Sequence, residues 1–356
     1  MKHYTIPFFI THSGCPQQCV FCDQQKITGK DAVTPGIVDE TIKKYLSTIK
    51  KEENHIEVGF FGGTFTGLSL DLQGEFLGPI EKYIKDGVIK SIRLSTRPDY
   101  ISKDIVRFLK ERYVKCIELG VQSMSDKVLK ASKRGYTEQT VEKAADIISE
   151  LGLDLGFQMM LGLPGSSEEE EFYTAKKAKQ LKAPEVRIYP LVVMKDTELA
   201  KIWAEGGYVH LQENEATKRA AKLIVYFETN NIKVIRCGLH PSEGLINHEN
   251  YLAGPFHPAF RQKAESWIFS KILKKIDREI TAVEKVYYNP RDAASFFGFE
   301  KMNRESIRKI FSGEKLCIGE DKNIPRGNVK AFSKDTEILF GKKDIAEDIL
   351  SPDMLA

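Results

Sequence analysis

At 356 residues the chain exceeds one average domain, which predicts a main domain with a smaller appendage, and its 42% apolar residues suffice for a real core. With 53 Lys and Arg against 50 Asp and Glu the net charge is only +3, which neither demands nor excludes a polyanionic partner, so any nucleic-acid argument must be local. Six cysteines, three of them clustered and the others at 116, 237 and 317, argue against a disulfide framework and fit the cell interior. The N-terminal apolar stretch Thr5 to Ile10 is too short for a signal segment, and no run is long enough to span a bilayer. The expectation is a cytoplasmic protein with no membrane segment.

The apolar run Tyr4 to Ile10 reads as a buried strand. It leads into Cys15-Pro16-Gln17-Gln18-Cys19-Val20-Phe21-Cys22, where three thiols spaced by three and then two residues can occupy three corners of a compact metal centre. A fourth corner would be open for chemistry. Zinc is the alternative, because His12 precedes Cys15 by three residues and three Cys with one His form a closed structural set.

Beyond this loop, helix and strand patterns alternate. Helices are expected at 35–50, 71–85, 103–112, 137–150 and 168–181, and strands at 55–61, 91–95, 116–121, 154–161 and 185–190. Six βα units imply an α/β fold with a parallel sheet, curled into a closed or partial TIM-type barrel whose active groups lie on the loops after the strands. Gly62 and Gly63, before Thr64, allow a sharp turn and a close backbone approach. The acidic stretch Ser166 to Glu171 is a helix start whose charges complement the dipole, for which a solvated cap is a sufficient reading.

Residues 237–262 form a loop-rich stretch with Cys237, His240, His248 and His257, which could close the barrel mouth and present Cys237 and His240 to a substrate. An ordered connector with satisfied histidines is the plainer alternative. A helical pattern from Ala259 to about Asp277 follows, then a strand at 283–288 and helices at 291–297 and 303–310; the last residues, 344–356, read as a solvated tail. The resulting division is a barrel over 1–236, a connecting loop and helix closing it over 237–278, and a small α+β domain over 279–356.

The cysteine spacing, with Phe21 before the last thiol, resembles the signature of the radical S-adenosylmethionine (radical SAM) superfamily. The resemblance implies that Cys15, Cys19 and Cys22 hold three irons of a [4Fe-4S] cluster and that the fourth iron binds the amino and carboxylate groups of SAM. Several further stretches resemble the elongator catalytic subunit. They are Phe61 to Gly67, Ser95 to Tyr100, Leu119 to Ser123, Lys133 to Thr137, Gln158 to Gly165, Arg187 to Val193 and Thr197 to Tyr208, so the resemblance covers roughly residues 8–236. It implies a SAM pocket formed by Phe21, Gly62, Gly63, Thr64, Ser95, Gln122, Arg134 and Gln158, with Arg134 pairing the SAM carboxylate. Ser95 stands where the family usually has a glutamate that accepts from the ribose, and a hydroxyl is the weaker acceptor.

The implied reaction is reductive cleavage of SAM to a 5′-deoxyadenosyl radical, with electrons from a donor such as flavodoxin or ferredoxin, and hydrogen abstraction from a substrate. Elongator-type enzymes modify transfer RNA with an added acetyltransferase domain that this sequence does not show, so radical chemistry on RNA is what the resemblance carries over. Gly298 to Lys301 between two helical patterns resembles the core turn of a KH-type RNA-binding module, with Lys301 in place of its second glycine. Residues 285–330 carry ten basic and six acidic side chains, a modest local excess. The alternatives are a coproporphyrinogen-oxidase-like enzyme acting on a tetrapyrrole or small metabolite, and a non-catalytic iron–sulfur or zinc protein that binds RNA.

Overall fold

Residues 2–11, 13–16, 19–23, 33–49, 54–311, 317–334 and 336–355 are described by the structure, a computed structural model. His12, and with it the fourth ligand of the zinc alternative, lies outside the described residues. The chain forms two compact units, residues 1–210 with 240–254 and residues 211–239 with 255–356.

The first unit carries the parallel sheet of a partial TIM-type barrel. Its strands β1 (Lys2–Phe9), β2 (Asn54–Phe61), β3 (Ser91–Thr96), β4 (Val114–Gln122), β5 (Asp154–Leu161) and β6 (Glu185–Pro190) pair in sequence order. Parallel strands are covered on both faces, which is why all six residues of β3 are buried and why the strand runs are rich in Ile, Val, Leu and Phe. Polar side chains nevertheless recur on the inner face. The register sets Ser95 beside Glu118 and Gln158 beside Arg187, and Gly156 leaves room for Glu118, whose Cγ would lie 2.5 Å from a Cβ there.

The connecting helices follow their local signals. Ser102 caps helix Lys103–Glu111 by accepting from the Ile105 amide at 3.3 Å, and Val106 and Leu109 on that helix are buried. The run expected as one helix over 71–85 is divided into Leu70–Leu77, a 3-10 turn Gly78–Ile80 and Glu81–Lys85, because Pro79 cannot donate the hydrogen bond that would continue it. Helix Glu168–Gln180 opens with a Ser167/Glu170 capping box, as its acidic start suggests. Glu171, however, departs from the solvated-cap reading: it is buried and accepts from the Gly162 amide at 2.8 Å, which ties this helix to the loop after β5.

The second unit is built on helices Glu213–Thr229 and Phe260–Glu279, which pack on each other, and on a four-stranded sheet. Its strands run in the order Ile318–Glu320, Lys285–Tyr288, Val329–Ser333, Thr336–Phe340. The end of the chain is not a solvated tail. Residues Lys342–Ile349 are a helix with Ile345 and Ala346 buried, Lys342 is paired with Glu228 and Glu265, and Arg278 holds Asp348 at 2.8 Å. Among the described residues no helix is long and apolar enough to cross a membrane.

Candidate active site

The site is assembled at the C-terminal ends of the strands, where β1 runs out into the cysteine loop. Two loops meet there by backbone alone. The Thr64 amide donates to Ser13 O at 2.8 Å, and Gly14, Gly62 and Gly63 have φ of +68°, +74° and +58°. A Cβ on Gly63 would overlap Ser13 O and stand 2.7 Å from Ile10 O, and one on Gly14 would overlap Thr64 O. The close approach that Gly63 permits is therefore to the cysteine loop itself.

The loop is also gripped from its other side. Val20 donates to Ser132 O at 3.3 Å and accepts from Leu199 N at 2.7 Å. Val20 and Phe21 sit in an apolar cluster with Val128, Leu163, Leu191, Val193 and Leu199. Cys19 is buried, and Cys15 and Cys22 are half-buried. Burial, and then the neighbouring Cys19 and Cys15 sulfurs, push the Cys22 thiol up to about 12. A thiol raised in this way gives up its proton only with a cation or metal centre beside it.

Two guanidinium groups converge on Cys19. Arg134 Nη1 stands 3.0 Å from its Sγ and Arg97 Nη1 stands 3.8 Å away. Arg97 is neutralised by Asp99, which it grips through Nε and Nη2 at 3.0 and 2.8 Å. Arg134 is buried with neutral partners besides Cys19, namely Gly120 O at 2.6 Å and the Tyr136 hydroxyl at 2.8 Å. The Tyr136 ring lies 5.2 Å from the Arg97 guanidinium and 5.0 Å from that of Arg134. A buried cation with no carboxylate partner among the described residues calls for an anion, and the group in front of it is the cysteine cluster.

Ser95 and Gln158 face inward. Ser95 Oγ donates to Glu118 at 3.3 Å, and Gln158 Nε2 donates to Ser95 Oγ at 3.0 Å and to Glu118 at 2.8 Å. Glu118 is held in turn by Arg187 at 2.7 and 2.8 Å and by Arg93 at 2.7 Å. Burial pushes the Glu118 carboxyl up, but Arg187 and Arg93 outweigh it and hold the group below its usual range. Gln122 has φ +66° at a register shift of β4, and its Oε1, like Thr64 Oγ1, is buried with no hydrogen-bond partner among the described residues. Such orphaned acceptors cost free energy unless a ligand satisfies them.

Cys237 and His240, read together as substrate-side candidates, fall in different compact units. Cys237 is buried, and burial pushes its thiol up to about 12, the behaviour of an inert core thiol. The His248 ring lies 5.1 Å from Tyr251, and His257 Nδ1 accepts from the Ala259 amide at 2.9 Å with its ring edge-on to Phe299. In the turn Gly298 to Lys301, Glu300 and Lys301 have φ of +51° and +62°. The Phe299, Lys301 and Met302 amides already donate to Ser266 Oγ, Gly298 O and Phe299 O at 3.0, 2.9 and 3.1 Å.

Arg93, Glu118, Arg187 and Tyr136 were not singled out from sequence. For Arg93, Glu118 and Arg187 the available signal was charge inside otherwise apolar strands, which requires a partner on a neighbouring strand.

Residues 9–178 match the Radical SAM superfamily and residues 184–268 match the Radical SAM C-terminal domain. An uncharacterized protein of Methanocaldococcus jannaschii is 31% identical over 213 residues, 57% of this chain and 65% of that protein. A tRNA uridine(34) acetyltransferase of Methanocaldococcus infernus is 28% identical over 243 residues, 57% of this chain and 45% of that protein. The chain thus spans about half to two thirds of the length of these relatives. Among solved structures, archaeal Elp3 of Methanocaldococcus infernus with an N-terminal deletion superposes with a TM-score of 0.58 at 17% identity, covering 79% of this chain and 70% of that one, which shows a shared fold. With both domains matched in order, and the three cysteines at the end of β1 of a partial barrel, the chain is an enzyme and belongs to the radical SAM superfamily.

Proposed function

We propose that Cys15, Cys19 and Cys22 hold a [4Fe-4S] cluster, that SAM binds beside it, and that the substrate is RNA, with transfer RNA as the first class to test. The observation that carries the cluster and SAM assignment is the buried Arg134, which has no carboxylate partner among the described residues and donates to the Cys19 sulfur at 3.0 Å. An anionic thiolate-ligated cluster is the partner such a cation fits. The orphaned oxygens of Thr64 and Gln122 suit donors such as an amino group or ribose hydroxyls. When bound, the two groups together supply one-electron cleavage of SAM and a radical able to abstract hydrogen, given a reductant of the flavodoxin or ferredoxin class.

The chain's own residues bind, orient and exclude. Arg134 fixes the Cys19 sulfur, and Arg97 holds the segment that positions Arg134 by donating to its carbonyl at 2.6 Å. The apolar cluster around Val20 and Phe21 keeps water from the cysteine loop. Support for RNA comes from the similarity to a tRNA uridine(34) acetyltransferase over the radical SAM portion.

The test is 5′-deoxyadenosine formation by anaerobically reconstituted protein with SAM and reductant, alone, with total small RNA and with a metabolite extract. RNA stimulation supports the substrate class; stimulation by the metabolite extract alone removes it. Cleavage of SAM by Cys19→Ala at the wild-type rate would remove the cluster assignment.

A further inference from the structure

A second group of metal-ligating side chains lies at the opposite, N-terminal end of the strands. His3 on β1 and His55 on β2 are register partners, and Glu57 lies two residues beyond His55 on the same face of β2. The two imidazole rings stand 4.7 Å apart, His3 Nε2 is 3.7 Å from Glu57 Oε2, and one ligand atom from each of the three residues lies within 4.8 Å of the others.

Glu57 is oriented by its other oxygen. Oε1 is held by Arg93 Nε at 2.6 Å and by the Thr5 hydroxyl at 2.7 Å, leaving Oε2 turned toward His3. Outer partners of this kind fix a carboxylate ligand before the metal arrives. The charge balance of the surrounding network points the same way. Among the described residues, and apart from His3 beside Glu57, the cations that pair with Glu57, Glu118 and Glu185 are Arg93 and Arg187, three carboxylates against two guanidiniums, and all five are buried or nearly so. Cys116, 3.5 Å from Glu185, is held by burial as a neutral thiol and does not alter the count. Lys90 and Lys115 are the other cations near His55, but both are exposed and screened by solvent.

We propose that His3, His55 and Glu57 form a binding site for a divalent transition metal of the zinc class, separate from the cysteine loop, that pins the start of β1 to β2. Two imidazoles and one carboxylate are a recognised zinc ligand set with a fourth position for water. The bound ion supplies the positive charge that the carboxylate-rich network lacks. Because β1 leads directly into the cysteine loop, the ion braces the strand that delivers that loop. The inference does not rest on the proposed cluster or on RNA.

The test uses the full chain reconstituted with iron and sulfide, equilibrated with micromolar zinc chloride and then freed of unbound metal. The expected result is one zinc per chain with a first shell of nitrogen and oxygen by X-ray absorption. Affinity should fall by at least about tenfold in His55→Ala and also in His3→Ala, an exposed residue whose loss leaves the fold intact. The site is overturned if no zinc is retained, if the first shell contains sulfur, or if both variants retain zinc as the wild type does.

Discussion

Glu118→Gln tests the buried charge network that shapes the barrel interior. Glu118 is 1% exposed and is the carboxylate that Arg187 has among the described residues, whereas Arg93 keeps Glu57 and Glu185. The amide keeps the shape and one acceptor oxygen but leaves Arg187 buried without a counter-charge. Breaking a buried pair from one side costs about 3–5 kcal/mol. For a unit of this size that lowers the melting temperature by roughly 6–20 °C. The assay is equilibrium unfolding in urea with a thermal melt beside it. Glu118→Leu/Arg187→Leu, which removes both charges, should recover most of the loss. A Glu118→Gln protein within about 1 kcal/mol of wild type, or a double variant no better than the single, would refute the reasoning.

The sign with pH follows from the same contacts. The folded carboxyl is held below its unfolded value, so its contribution is fully present above the unfolded pKa of about 4.3 and is lost as pH falls through the folded value. Wild type should show this acid-side loss and Glu118→Gln should lack that component.

Other consequences concern the cysteine loop. Arg134→Met removes the cation 3.0 Å from Cys19 and should make the cluster harder to reduce. A charge-assisted hydrogen bond is worth about 1.5–3 kcal/mol, or roughly 65–130 mV for one electron, and an unchanged midpoint by redox potentiometry would count against that role. Gly63→Ala places a methyl group 2.7 Å from Ile10 O at φ +58°, which should cost about 1–3 kcal/mol and lower the iron content after reconstitution. Full iron loading in that variant would show that the two loops can separate without consequence.

The parts of the fold carried by local pattern were legible. Strands Asp154–Leu161 and Glu185–Pro190 lie where they were expected, and the cysteine loop follows β1 as the apolar run Tyr4 to Ile10 implied. Interactions between residues distant in sequence were not legible. Ser95 and Gln158 look like ligand groups in isolation, yet both donate to Glu118, 23 and 40 residues away. The helix Lys342–Ile349 was hidden because its buried side is small and its fixing ion pair joins Lys342 to Glu228, 114 residues away. The role of Gly63 became clear only when the backbone it touches was in place.

The most direct test of the cysteine assignment is electron paramagnetic resonance of the reduced, iron-reconstituted chain with and without SAM. Three cysteines with an open fourth iron predict a [4Fe-4S]⁺ signal that changes when SAM is added and is lost in Cys19→Ala. A signal that SAM leaves unchanged, or that survives in Cys19→Ala, would contradict the account.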